Sequence, residues 1–70
     1  MLTMSAHEKS EMVNQAVAAG AVYVKSGDGL NTRKVLSARV RHGNLQLETT
    51  KGFEYFGNTP FVGSTQRKLW

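Results

Sequence analysis

Three arginines, Arg33, Arg39 and Arg41, are the residues whose type and spacing best suit binding chemistry. They lie in residues 33–50, where apolar and polar residues alternate as in a β-strand with one buried face. Side chains an even number of residues apart share a face of a regular strand, so the three guanidinium groups are predicted to project together. Guanidinium groups bind phosphate or carboxylate through paired N–H donors, so the predicted chemistry is anion recognition.

Positive charge is concentrated in the C-terminal half of the chain. The net charge is +4, and residues 33–70 hold seven of the nine Lys and Arg residues but only two of the five acidic ones. The additional cations predicted to contact phosphate are Lys51, Arg67 and Lys68. This asymmetry favours an acidic partner, with nucleic acid as the first candidate.

Residues that could catalyse a reaction or hold a metal ion are scarce. His7 and His42 are far apart in the chain, and there is no cysteine. The acidic residues show no spacing typical of a general acid–base pair. A chain of 70 residues also leaves little room for a concave pocket of about 300 Å³ or more. We therefore expect a binding module, not an enzyme, with no cofactor and no metal ion.

The alternating stretch predicts a β-hairpin with one apolar and one cationic face. Its apolar residues recur with period two: Leu36, Ala38 and Val40 on the first arm, Leu45 and Leu47 on the second. If the first strand is regular as far back as Arg33, that arginine shares the cationic face with Arg39 and Arg41.

The turn of this hairpin can be placed in two ways. His42-Gly43 suits a two-residue turn with positive φ at both positions, and Gly43-Asn44 suits one that has glycine first. With Gly43-Asn44 as the turn, Arg39 faces Glu48 on the outer side. The two registers differ by two residues, so both put the same side chains on each face.

The segment Phe53-Glu54-Tyr55-Phe56 predicts a further strand, whose face depends on the turn before it. A three-residue connection, Thr50-Lys51-Gly52, drives Phe53 and Tyr55 into the core. A two-residue turn at Lys51-Gly52 instead places both rings beside the arginines, where they suit stacking on unpaired bases, and buries Glu54. Burying an unpaired carboxylate costs several kcal/mol, so the core placement is preferred.

The N-terminal region predicts a helix from Ala6 to Ala19. Ser5 and Glu8 match a capping box, in which the Ser5 hydroxyl accepts from the N–H of Glu8 and the Glu8 carboxylate reaches back to the N–H of Ser5. Gly20 is expected to end the helix in a left-handed conformation. The apolar residues that recur at helical spacing are Met12, Val13, Ala16 and Val17.

These elements predict an α+β fold in a single domain, residues 1–70: one N-terminal helix packed on an antiparallel sheet of three or four strands. A small β-barrel with an N-terminal helix is the alternative. Residues 1–4 are expected to be loose, and residues 64–70 could form a flexible tail. Trp70 either folds back on the domain or anchors a partner.

The favoured function is nucleic-acid binding, or regulation, through the cationic sheet face. No recognition helix is evident, so we expect the protein to recognise the charge of the nucleic-acid backbone and not the base sequence. The alternatives are a homo-oligomeric structural subunit and a protein-interaction module. The second would be an inhibitor or adaptor of viral or mobile-element origin that uses Tyr55 and Trp70.

Size and composition bear on assembly and location. A 70-residue domain without a disulfide is marginally stable, which leaves a homodimer open. Neither a signal peptide nor a membrane span is recognised, so a cytoplasmic location without membrane contact is expected.

Overall fold

The structure, a computed structural model, describes residues 4–25, 31–55, 59–63 and 65–70, and within them the chain forms one α-helix and six β-strands. In chain order the elements are α1 (Ala6–Ala19), β1 (Val22–Lys25), β2 (Thr32–Arg41), β3 (Asn44–Thr49), β4 (Gly52–Tyr55), β5 (Phe61–Val62) and β6 (Arg67–Lys68). All neighbouring strands are antiparallel, in the order β4-β3-β2-β1-β5-β6.

The helix α1 packs on one face of this open sheet, so the predicted α+β architecture is confirmed and the barrel alternative is wrong. The sheet is wider than predicted because β5 pairs with β1, and β6 pairs with β5. Residues 67–68 therefore belong to the sheet and are not part of a free tail. Of the predicted loose N-terminus, residues 1–3 lie outside the described residues, as does Phe56 at the predicted end of β4.

The helix α1 has the predicted bounds, Ala6–Ala19. The Ser5 hydroxyl accepts from the N–H of Glu8 at 3.1 Å, as predicted, and it donates to the Glu8 carboxylate at 3.2 Å. This second contact takes the place of the predicted one to the N–H of Ser5. Gly20 has an extended backbone with φ 174°, so the predicted left-handed conformation is wrong, although its N–H still donates to the carbonyl of Ala16.

The core lies between α1 and the inner face of the sheet, the face that α1 covers. Its buried residues are Val13, Val22, Val24, Val35, Ala38, Leu45 and Leu47. Leu69 and Trp70, beyond β6, pack against this cluster. Of the two placements predicted for Trp70, the structure therefore shows the one in which it folds back on the domain.

Asn14 joins α1 to the middle of β2. Its Nδ2 donates to the carbonyl of Ala38, and its Oδ1 accepts from the N–H of Ala38, both at 2.9 Å. Ala38 lies beyond the end of β1, whose last pair with β2 is Val22 with Val35. The Asn14 amide therefore satisfies two backbone groups that β1 does not reach.

A β-bulge at Leu36 divides β2 into two parts. The register with β3 shifts between Val35, which pairs with Thr49, and Ser37, which pairs with Glu48. Val35 is fully buried and Leu36 is 46% exposed, the reverse of the predicted alternation. One extra residue inverts a period-two pattern, so residues before the bulge occupy the faces opposite to those predicted.

The turn between β2 and β3 is His42-Gly43, one of the two predicted. His42 has φ 54° and Gly43 φ 76°, as a turn with two positive φ angles requires. Arg39 therefore pairs with Gln46 and not with Glu48. Beyond the bulge, each side chain lies on the face predicted for it, which is the same for both of the predicted turns.

The turn between β3 and β4 is Thr50-Lys51, which neither predicted register contained. Glu48 pairs with Phe53, and Gln46 pairs with Tyr55. The preferred prediction, with both rings in the core, is wrong: Phe53 is 55% exposed and Tyr55 is 56% exposed. Both lie on the sheet face opposite α1.

Candidate functional site

The outer face of the sheet, the face opposite α1, combines exposed aromatic rings with cations. Pairing and alternation along the strands place fourteen side chains on this face: Tyr23, Lys25, Thr32, Lys34, Ser37, Arg39, Arg41, Asn44, Gln46, Glu48, Phe53, Tyr55, Phe61 and Lys68. They come from all six strands. The face is therefore continuous from one edge of the sheet to the other.

At the β4 end of the outer face, an arginine contacts one exposed ring, and a second exposed ring lies on the same strand. The Arg39 Cζ lies 4.6 Å from the centroid of the Phe53 ring, a cation–π contact. Its Nε donates to Gln46 Oε1 at 2.7 Å, which holds the guanidinium above β3. Within the described residues no carboxylate accepts from Arg39, so its terminal N–H groups can serve an external anion. Tyr55 lies two residues from Phe53 on the same face.

A second pair of rings lies toward the other edge. The centroids of Tyr23 on β1 and Phe61 on β5 are 5.8 Å apart, with 27° between the planes. Lys34 pairs with Tyr23, and Lys68 pairs with Phe61. Lys34, Tyr23, Phe61 and Lys68 therefore form a row across four neighbouring strands, with two rings between two cations.

Arg33 is not part of the outer face, contrary to the prediction. The bulge puts it on the inner face, where it is 7% exposed. Its Nε donates to Glu54 Oε2 at 2.7 Å, its Nη2 donates to the other carboxylate oxygen, and its Nη1 donates to the carbonyl of Asn31 at 2.9 Å. With its charge paired with Glu54 and its side chain nearly buried, this guanidinium does not serve an external anion.

The same network explains how Glu54 is accommodated on the inner face. Thr49 Oγ1 donates to Glu54 Oε2 at 3.0 Å. The hydrogen bond from Arg33 is the main cause that holds the pKa of Glu54 below its ordinary value of 4.5; burial opposes it, and the bond from Thr49 adds to it. Phe53 is predicted in the core only if a buried Glu54 has no partner. Arg33 is that partner.

The other predicted contact residues are divided between two faces. Arg39 and Arg41 share the outer face as predicted, and Lys68 joins them there. Lys51 is exposed in the turn that leads into β4. Arg67 precedes Lys68 on β6 and therefore lies on the opposite face. The structure thus places three of the six predicted cations on the outer face, Lys68 three strands away from Arg39 and Arg41.

The two predicted partner contacts differ in exposure. Tyr55 is exposed on the outer face. Trp70 is half-buried against the core on the helix side, with Lys9 Nζ 5.4 Å from its ring centroid. Only Tyr55 is placed to act together with the arginines.

The sequence does not predict the outer-face positions of Lys34, Lys25 and Phe61. In a regular strand Lys34, an odd number of residues from Arg39, would point to the inner face. The bulge at Leu36 places it on the outer face. The available signal was the apolar pair Val35-Leu36, which breaks strict alternation and fits a bulge as well as either frame.

Glu48 puts a carboxylate within the outer face. It lies in the row between Phe53 on β4 and Ser37 on β2. Ser37 Oγ donates to Glu48 Oε1 at 3.1 Å. This negative charge repels an anionic ligand close to Phe53. Removing it by mutation of Glu48 is therefore expected to strengthen the binding of an anion.

Among the described residues, no group of three His, Asp or Glu side chains could hold a metal ion. In the same part of the chain, no helix has the length and apolar character needed to cross a bilayer. Comparison with protein-family models, curated proteins and solved structures finds no match to this chain.

Proposed function

We propose that this chain is a non-enzymatic module that binds single-stranded nucleic acid through the outer face of its sheet. The observation that carries the proposal is the exposed Phe53 ring against the Arg39 guanidinium, with the exposed Tyr55 two residues away on the same face. Unpaired bases stack on exposed rings with about 1–3 kcal/mol per base, and arginine binds phosphate through two parallel donors.

Charge on the same face supports the proposal. Lys34, Arg41 and Lys68 are exposed there in addition to Arg39. Neutralising phosphates releases counterions, so such a face attracts nucleic acid whatever its base sequence. Among the described residues, Glu48 is the carboxylate on this face, and it reduces this attraction.

The form of the surface favours single strands over duplexes. Rings on a sheet face can stack only on bases that are not already stacked in a duplex. The helix α1 is poorly suited to a DNA groove, because it has Glu8 in its first turn and no basic residue in its last turn.

Fluorescence anisotropy with labelled single strands and the matching duplexes, over a salt series, tests this proposal. Single-stranded DNA or RNA of about 12 nucleotides should bind more tightly than the duplex. With about three phosphate contacts, log Kobs should fall with log salt concentration with a slope of about −2. An absence of binding at low salt, or an affinity that does not change with salt concentration, would contradict the proposal.

Four variants connect such binding to the proposed face. Phe53→Leu removes a stacking ring and should weaken binding about tenfold, and Arg39→Gln should weaken binding and lower the salt slope by about 0.7. Tyr55→Phe keeps its ring and should bind as the wild type does. Arg67→Gln removes a cation from the opposite face and should leave affinity nearly unchanged.

Glu48→Gln is a gain-of-binding test of the same face. Removal of this carboxylate should strengthen binding about twofold to fivefold, since like charges on an exposed surface interact by only a few tenths of a kcal/mol to about 1 kcal/mol. Anisotropy titration measures the change. A weaker affinity in this variant would mean that the ligand does not lie near Phe53.

A protein partner is the second candidate, and the open edge of β4 favours it. In the strand order β4 lies at one end of the sheet, with exposed aromatic residues Phe53 and Tyr55. Edge strands pair readily with strands of other chains. Affinity capture from nuclease-treated lysate separates this candidate from the first, because a protein partner persists and one bridged by nucleic acid is lost. Sedimentation at several concentrations tests the homodimer.

A further inference from the structure

We infer that the helix side of the protein carries a separate binding site, a groove between α1 and strands β5 and β6 that takes a free aliphatic carboxylate. The groove lies on the inner face of the sheet, so this inference goes beyond the proposed function and does not rest on it. It gives a role to Arg67, the cation on β6 that the outer face does not use.

The groove lies where the sheet extends beyond α1. The helix packs chiefly on β2 and β3, while β5 and β6 widen the sheet on the far side of β1. The depression left beside the helix has a volume of about 330 Å³ and is lined by Met12, Val62, Thr65, Arg67, Lys68 and Leu69. Pockets for small ligands begin at about 300 Å³, so the groove is large enough for a short aliphatic chain.

Strand pairing makes the floor of the groove apolar. Val62 pairs with Val22, which is fully buried in the core, and with Arg67, so the three side chains share the inner face. Leu69 lies two residues beyond Arg67, and its N–H donates to the carbonyl of Pro60 at 3.0 Å. This bond continues the β5–β6 ladder and keeps the Leu69 side chain on the same face. Val62 and Leu69 are half-buried, so part of each is accessible to a ligand.

Arg67 gives the groove a positive charge at its rim. Its side chain is exposed, and among the described residues no carboxylate pairs with its guanidinium and no acidic side chain lines the groove. The Thr65 hydroxyl donates to the carbonyl of Val62 at 3.1 Å, so its proton is already in use. Lys68 alternates with Arg67 and projects from the outer face. Arg67 is therefore the group that binds an anionic head, through two parallel N–H donors.

An apolar floor with a guanidinium at its rim matches a small amphipathic anion. An aliphatic carboxylate covers the floor with its chain and pairs its head with Arg67. A bare phosphate would leave the floor without contacts, and within the described residues no aromatic ring lines the groove to stack on a base. If a methylene group takes about as much space as a water molecule in the liquid, about 30 Å³, the groove holds a chain of about ten carbon atoms.

A series of carboxylates of increasing chain length tests the apolar floor. NMR titration of the ¹⁵N-labelled chain with butyrate through dodecanoate, below the concentrations at which micelles form, gives an affinity for each ligand. The affinity should rise about threefold to fourfold per added methylene and level off near about ten carbon atoms, where the groove is full. Shift changes should concentrate on β5, β6 and the turn of α1 that contains Met12.

Comparison of octanoate with octanol tests the guanidinium. Octanoate should bind about threefold to tenfold more tightly, because only the carboxylate pairs with Arg67. Arg67→Gln should weaken octanoate by that factor and leave octanol nearly unchanged. Arg41→Gln removes an exposed guanidinium from the outer face, so it is the matched control and should bind both ligands as the wild type does.

A variant of the floor separates chain burial from charge. Val62→Thr keeps a similar shape but puts a hydroxyl into the floor, so octanoate and octanol should both bind about threefold or more weakly. A urea-unfolding curve shows whether this variant stays folded. If it does not, Met12→Gln serves instead, because it places a polar group on the helix wall of the groove at a half-buried position and keeps a good helix former.

The outcomes decide the groove independently of the outer face. A gain with chain length, together with a preference for the carboxylate that disappears in Arg67→Gln and persists in Arg41→Gln, supports the site. Equal affinity for octanoate and octanol, shift changes away from β5 and β6, binding only where micelles form, or no saturable binding at millimolar ligand overturns it. None of these results affects nucleic-acid binding by the outer face, and a failure of nucleic-acid binding leaves the groove standing.

Discussion

At the scale of single residues, the outer face owes its composition to the pairing of Arg33 with Glu54. These two charges lie on the inner face and satisfy each other, with Thr49 as a second donor to the carboxylate. Phe53 and Tyr55 flank Glu54 in sequence, so they must point outward when it points inward. The ion pair therefore exposes the two rings.

Glu54→Gln should lower the free energy of unfolding by about 1–3 kcal/mol at neutral pH, because Arg33 would lose a charged partner in a nearly buried site. The pKa of Glu54 lies below its ordinary value of 4.5 in the folded chain, so its stabilising effect is complete above that value. The effect is lost as pH falls through the lower, folded-state pKa.

Urea unfolding of the wild type and Glu54→Gln between about pH 7 and about pH 3 measures this effect. The difference in unfolding free energy should be constant above about pH 5 and should shrink below about pH 4.5. A difference that stays constant over the whole range would contradict the assigned role of the carboxylate.

At the scale of elements, the bulge in β2 decides which of two adjacent cations reaches the outer face. Without the extra residue, Arg33 would point outward and Lys34 inward; with it, the two exchange places. The sequence prediction assumed regular alternation, and that one assumption misplaced Arg33, Lys34 and Leu36 together. It also left Glu54 without a visible partner.

Two neighbouring substitutions test this exchange. Arg33→Gln should destabilise the fold by about 1–3 kcal/mol and, where the variant is still folded, leave nucleic-acid affinity nearly unchanged. Lys34→Gln should keep stability within about 0.5 kcal/mol and lower the salt slope of binding by about 0.7. Urea unfolding and anisotropy on both variants measure the two effects. The opposite assignment of effects would mean that β2 is regular.

The attachment of α1 to β2 gives a second prediction at this scale. Asn14→Ala removes both hydrogen bonds to the backbone of Ala38 and should cost about 1–3 kcal/mol of unfolding free energy. Gln15→Ala, at the next and exposed position, is the matched control and should change stability by less than about 0.5 kcal/mol. Equal effects in urea unfolding would show that the Asn14 contacts contribute little.

At the scale of the whole molecule, local signals predicted α1 and the β2–β3 hairpin but not β6, and long-range pairing decided the faces. The bounds of α1 were predictable because Ser5 caps its start and apolar residues recur at helical spacing. The arginine face was predictable from Arg39 and Arg41. The bulge was not, because Val35 and Leu36 are both apolar and fit either frame. The cost of burying Glu54 depended on Arg33, a residue two strands away.

The outer face is proposed to be the surface that binds single strands. NMR titration of the ¹⁵N-labelled chain with an oligothymidylate of about 12 nucleotides tests this most directly. Shift changes should concentrate on β4, β3 and β2 around Phe53, Tyr55 and Arg39, and should leave the exposed side of α1 unchanged. Changes confined to α1, or no changes at millimolar ligand, would contradict the account.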